Sequence, residues 1–81
     1  MRKESEYREQ FIQYIVTQVP LTGLWVTEGQ VLVKENGSLR VFPLVGSADN
    51  EFTTEDDAEI YILDAAKGAI DRLLESKNEM L

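Results

Sequence analysis

The sequence predicts an α+β domain of two layers, in the order α-β-β-β-α, with a three-stranded antiparallel meander and both helices on one face. Three observations predict it. A segment near the start carries apolar residues in steps of four. A middle stretch is rich in β-branched and aromatic residues and is punctuated by glycine. A long final segment repeats apolar residues at helical spacing.

In the first segment, Tyr7, Phe11, Ile15 and Val19 step by four, and Ile12 and Tyr14 widen the stripe. One apolar face at a 3.6-residue period predicts a helix over residues 4–19. Pro20 ends it, because proline pushes its predecessor out of the α region.

The middle, residues 22–45, reads as three strands. Leu24-Trp25-Val26-Thr27 runs into Glu28-Gly29, and Gln30-Val31-Leu32-Val33-Lys34 runs into Glu35-Asn36-Gly37. Asn-Gly between two β-rich runs is a strong hairpin signal, and Gly29 can supply a positive φ for a turn of its own. A two-residue Asn36-Gly37 loop pairs Val33 with Arg40, which mixes apolar and charged groups on both faces. A three-residue loop pairs Val33 with Leu39 and Val31 with Val41, and gathers all four on one face. Burial favours this second register, because a one-residue slip turns every side chain over. A Glu28-Gly29 turn then adds Leu24 and Val26 to the same face. Pro43 suits an edge, a strand end or a bulge.

The last helix is expected over residues 55–77. Thr54 can cap it with Asp57 three residues on, and Thr53 with Asp56 is the competing pair. Ala58, Ile62, Ala66, Ala69 and Leu73 form its inner stripe, broadened by Leu63, Ile70 and Leu74. Residues 1–81 form a single domain, with about 77–81 frayed.

Composition excludes several functions. The chain of 81 residues has no cysteine and no histidine. Disulfides, thiolate chemistry and the usual catalytic base and transition-metal ligand are therefore missing. There is no Gly-rich phosphate loop, nucleophile elbow or HExxH, so neither an enzyme nor a cofactor is expected. The net charge of -7 argues against direct contact with nucleic-acid phosphates or anionic membrane. No apolar run approaches the roughly 20 residues of a membrane span, and the charged first residues do not read as a signal peptide, so the cytoplasm is the expected compartment.

The charge is local. Residues 49–81 hold ten acids and three bases, whereas the first 48 residues sum to zero. Asp49, Glu51, Glu55, Asp56, Asp57 and Glu59 are the densest group, with Ile60 and Tyr61 beside them. Acids favour a helix N-terminus, which accounts for Glu55, Asp56 and Asp57 without any function. A functional patch would meet a basic protein surface, or imitate nucleic-acid phosphate. A calcium loop begun at Asp49 fails, because Thr54 stands where glycine is needed and Ile60 where glutamate is needed. Irregular oxygen ligation of a divalent cation is the remaining metal reading.

In the three-residue-loop register, Trp25, Leu32, Phe42 and Leu44 point away from the helices and Arg40 rims them. A contiguous patch of this kind resembles an interface, and two-fold self-association is its commonest use. The expected function is thus a small acidic non-enzymatic interaction protein, homodimeric through the outer sheet face. The alternatives are an acidic nucleic-acid mimic that blocks a basic groove on a partner protein, and a divalent-cation binder. In size, charge and element order the chain is similar in kind to small phage-encoded inhibitors of bacterial defence systems. That likeness implies the mimic reading and transfers no residue.

Overall fold

The computed structural model describes residues 2–44 and 50–79. Four strands, β1 (Arg2–Tyr7), β2 (Gln10–Gln18), β3 (Trp25–Glu35) and β4 (Ser38–Pro43), form one antiparallel sheet in sequence order. One helix, α1 (Glu55–Glu79), follows. The class is α+β, but four strands and one helix replace the expected three strands and two helices.

The first correction concerns residues 4–19, which form a hairpin and not a helix. A period of two competes with the period of four, and it wins. Gln10, Ile12, Tyr14 and Val16 are buried, alternating with the more open Phe11, Gln13, Ile15 and Thr17. β-Branched and aromatic side chains dominate this run, and they suit a pleated surface better than a helix. The turn is Arg8-Glu9, with φ of 51° and 67°, and Tyr7 pairs with Gln10 across it. Two positive φ values give a turn whose twist matches the strands, here without the usual glycine or asparagine. The element order behind the likeness to phage inhibitors is therefore not the one observed.

The second correction concerns Gly29, which lies inside β3 opposite Tyr14 and makes no turn. A Cβ there would stand 3.1 Å from the Gln13 carbonyl oxygen and 3.1 Å from Ile62 Cγ1. Glycine at this position lets α1 approach the sheet. The β2–β3 connection comes earlier, where Gly23 takes φ 73° and donates to the Val19 carbonyl at 2.8 Å.

The third correction is the hairpin register. Asn36 and Gly37 form a two-residue loop with φ of 51° and 82°, pairing Glu35 with Ser38 and Val33 with Arg40. Val31, Val33, Arg40 and Phe42 thus share the helix-facing side, while Leu39, Val41 and Val26 face outward. Turn chemistry wins because Arg40 is not buried by it. Its guanidinium lies 5.3 Å from the Phe42 ring centroid and bonds Glu35 at 3.1 Å, at the edge of the sheet.

α1 packs on β2 and β3. Ala58, Ile62, Ala66 and Ile70 meet Ile12, Tyr14, Val16, Val31 and Val33 in one buried core. The Thr54 hydroxyl accepts from the Asp57 amide at 3.1 Å, so the expected cap forms, with Glu55, Asp56 and Asp57 in the first turn. Among the described residues the buried polar side-chain atoms are satisfied. Gln10 Oε1 accepts from the Lys34 amide at 2.7 Å, and Thr27 Oγ1 donates to the Ile15 carbonyl at 2.8 Å. Phe52 continues the line of β4, exchanging backbone bonds of 2.7 and 2.8 Å with Trp25. One helix covers one face; among the described residues, nothing covers the other.

Candidate interaction surface

Strand alternation builds the uncovered face in rows. Glu6, Phe11, Leu32 and Val41 lie in register across all four strands. The next row is Glu4, Gln13, Gln30 and Pro43, and the next is Arg2, Ile15 and Glu28. Thr17 and Val26 close the far end. At the hairpin end the side chains are apolar and open: Phe11 is 39% exposed, Leu39 53% and Val41 52%. Lys34 Nζ sits 5.4 Å from the Phe11 ring centroid, and a shallow depression opens between Phe11, Lys34 and Leu39. The middle is an amide belt. Gln30 Nε2 donates to Gln13 Oε1 at 2.8 Å, and Gln13 Nε2 donates to Glu4 Oε1 at 3.3 Å. A second depression lies among Arg2, Gln13, Ile15 and Glu28, and a third among Ile15, Thr17 and Val26.

This is not the set of residues expected on that face. Trp25, Phe42 and Leu44 pack against the core on the helix side, and Arg40 lies over Phe42 on that side. Leu32 is the one expected residue that faces outward. The one-residue difference in register turned Arg40, Phe42 and Leu44 over, and the unbroken run of β3 through Gly29 turned Trp25 over. Phe11, Ile15, Val26, Leu39 and Val41 take the vacated places. The period of two in residues 10–18, and the Asn-Gly hairpin taken at its usual two-residue length, were the signals for them.

The acidic residues do not act as one group. Asp49 lies outside the described residues. Glu51, Glu55, Asp56 and Asp57 are exposed around the start of α1. Glu59 instead ties the helix to the first hairpin. Lys3 Nζ donates to its Oε2 at 2.7 Å and the Tyr14 hydroxyl donates at 2.9 Å. Lys3 also stands 3.6 Å from Glu55. Tyr61 turns toward Phe52, with ring centroids 5.1 Å apart, and its hydroxyl accepts from Asn50 Nδ2 at 2.9 Å. Ile60 is 59% exposed beside the acids. Among the described residues no three carboxylates gather to hold a metal ion. Further along α1, Asp71 accepts from Arg8 Nη1 at 2.8 Å and from the Tyr7 hydroxyl at 3.1 Å.

These ties set a pH dependence. The hydrogen bond from Lys3, then that from Tyr14, holds the Glu59 carboxyl below its ordinary value, and Arg8 does the same for Asp71. A depressed carboxylate stabilises the fold above its ordinary pKa, and that contribution is lost as the pH falls through the folded value. Stability should therefore be lost below the ordinary values of 4.5 and 3.8. Glu59→Gln should flatten this acid limb in thermal melts, and an unchanged slope would show that the Lys3–Glu59–Tyr14 tie contributes nothing.

No family model, no curated protein and no solved structure matches this chain. No helix among the described residues is long and apolar enough to cross a membrane.

Proposed function

We propose that the chain is a non-enzymatic protein-interaction domain that associates with a second copy of itself through the apolar end of its uncovered sheet face. The supporting observation is the apolar end of that face, where Phe11, Leu32, Leu39 and Val41 are contiguous and, among the described residues, left uncovered. A domain of 81 residues that leaves these side chains outside its core gives up stabilising area. Contiguous exposed apolar surface of this kind marks interaction sites, and two-fold self-association is the commonest use of such a patch. Four strands spaced about 4.8 Å apart and about 25 Å long give a face of a few hundred Å², below the roughly 800 Å² per partner of a standard interface. A face of that size belongs to the weak, transient class of contact, so association is sought at about micromolar concentration and above. Because each copy carries -7, added salt should strengthen it by screening like charges.

A second reading keeps the acidic start of α1 as the contact. Glu51, Glu55, Asp56 and Asp57 are exposed beside the open Ile60, and all the net charge lies in the last 33 residues. Such a surface would occupy a basic groove on another protein in the manner of nucleic-acid phosphate, and salt would weaken that contact.

Leu39→Lys with Val41→Lys separates the two. Both side chains are half exposed in the single chain, so the folded monomer should survive. Light scattering at about 100 μM, above a micromolar dissociation constant, should show the variant at monomer mass. A variant that associates like the unmodified chain would overturn the sheet-face reading.

A further inference from the structure

We infer that two copies join edge to edge through β4, antiparallel and centred on Arg40, so that their sheets become one of eight strands. This rests on the reading that the chain self-associates at the apolar end of its uncovered face, and it places the contact at the β4 edge of that face, where Leu39 and Val41 meet while Phe11 and Leu32 stay open on the joined sheet.

The backbone phase of β4 is fixed by one bond. The Leu44 amide donates to the Gly29 carbonyl at 2.9 Å. Stepping back by two, Phe42, Arg40 and Ser38 are the residues that exchange ladder bonds with Val31, Val33 and Glu35. In an antiparallel ladder the alternate residues turn their N–H and C=O the other way. Leu39 and Val41 therefore direct their backbone groups off the edge. Pro43 shares that phase, so its missing N–H takes nothing from the pairing with β3.

The two edges of the sheet differ. β1 shows Arg2, Lys3, Glu4 and Glu6, the kind of charged strand that discourages pairing. β4 shows Leu39 and Val41, each about half exposed, and among the described residues it has a strand partner on one side only. Phe52 fills the flank of β3 only at Trp25, beyond the end of β4.

A second copy fits this edge in one register. Centred on Arg40, Leu39 of each copy stands opposite Val41 of the other, twice over. All four outward N–H groups then find carbonyls, and the apolar pairs lie on the uncovered face. There they join the Phe11–Leu32–Val41 row of one copy to Leu39 of the next. Centring on Val41 would set Leu39 against Pro43, which has no N–H to give. Centring on Leu39 would set Val41 against Gly37, which has no side chain to meet it. In the favoured register the two Arg40 residues face each other, normally a cost. Here each guanidinium is already bonded to its own Glu35 at 3.1 Å, so the four groups together carry no net charge. The helices do not obstruct this. α1 lies over β2 and β3, which places the two helix axes about 19 Å apart at a strand spacing of about 4.8 Å, against a helix diameter of about 10–12 Å.

Amide hydrogen exchange resolved by NMR, on the unmodified chain at concentrations below and above association, tests the edge. Leu39 and Val41 should exchange at least about tenfold more slowly once associated, while Arg40 and Phe42, already bonded to β3, should change little. Val41→Pro removes one outward donor and no β3 bond, so it should leave a folded monomer. Association with Leu39 and Val41 still exchanging freely, or undiminished in Val41→Pro, overturns the edge register and leaves a face-to-face stack as the mode of self-association. No association up to about 100 μM, far above micromolar affinity, overturns both the edge register and the self-association reading.

Discussion

Ile62→Ala should lower the stability of the fold by about 2–5 kcal/mol, the usual range for emptying a closed apolar site. Ile62 is fully buried at the centre of the helix–sheet contact, among Ile12, Val31 and the other core residues. A domain of this length has only about 4–12 kcal/mol in total, at 0.05–0.15 kcal/mol per residue. The variant should therefore show a large fall in urea midpoint, with a measurable unfolded fraction in water at the upper end of that range. A change within about 0.5 kcal/mol, the size expected of a surface substitution, would contradict the packing of α1 against the sheet.

Gly29→Val should also destabilise, by about 1–3 kcal/mol, although valine is the better strand former. The cause is space. The new Cβ would stand 3.1 Å from both the Gln13 carbonyl oxygen and Ile62 Cγ1. The isoleucine can shift, but the carbonyl belongs to β2 and moves only with its strand. Gly29→Ala in the Ile62→Ala background should thus cost less than in the unmodified chain, with a coupling of at least about 0.5 kcal/mol. Simple additivity in that double-mutant cycle would show that Gly29 is not what seats the helix. A stabilising Gly29→Val would contradict the close approach altogether.

Much of α1 was legible in the sequence. Ala58, Ile62 and Ala66 mark its buried stripe at helical spacing, and Thr54 caps it as its side chain allows. The Asn36-Gly37 hairpin was legible too. Its register was not, because burying Leu39 and Val41 beside Val33 looked better than facing Arg40 inward. Arginine at a sheet edge evades that conflict by lying over Phe42 and bonding Glu35. The first hairpin was hidden for a different reason. Tyr7, Phe11, Ile15 and Val19 satisfy a helical period by coincidence, and the Arg8-Glu9 turn takes positive φ without glycine. Gly29 misled in the opposite sense, since a glycine that admits a helix looks in sequence like one that makes a turn. Trp25, Phe42 and Leu44 accordingly pack against the core, and Leu39 and Val41 lie outside it. Among the described residues one sheet face is open and partly apolar, and the residues on it differ from those expected. The acidic cluster was legible as charge only; that Glu59 holds Lys3 and Tyr14 needed the fold.

Sedimentation equilibrium of the unmodified chain tests the interaction surface most directly. From about 1 to 100 μM, a range that brackets micromolar association, the weight-average mass should climb from the 9.2 kDa of one chain toward twice that value, and climb further at higher salt. A mass fixed at 9.2 kDa across the whole range would contradict a self-associating sheet face.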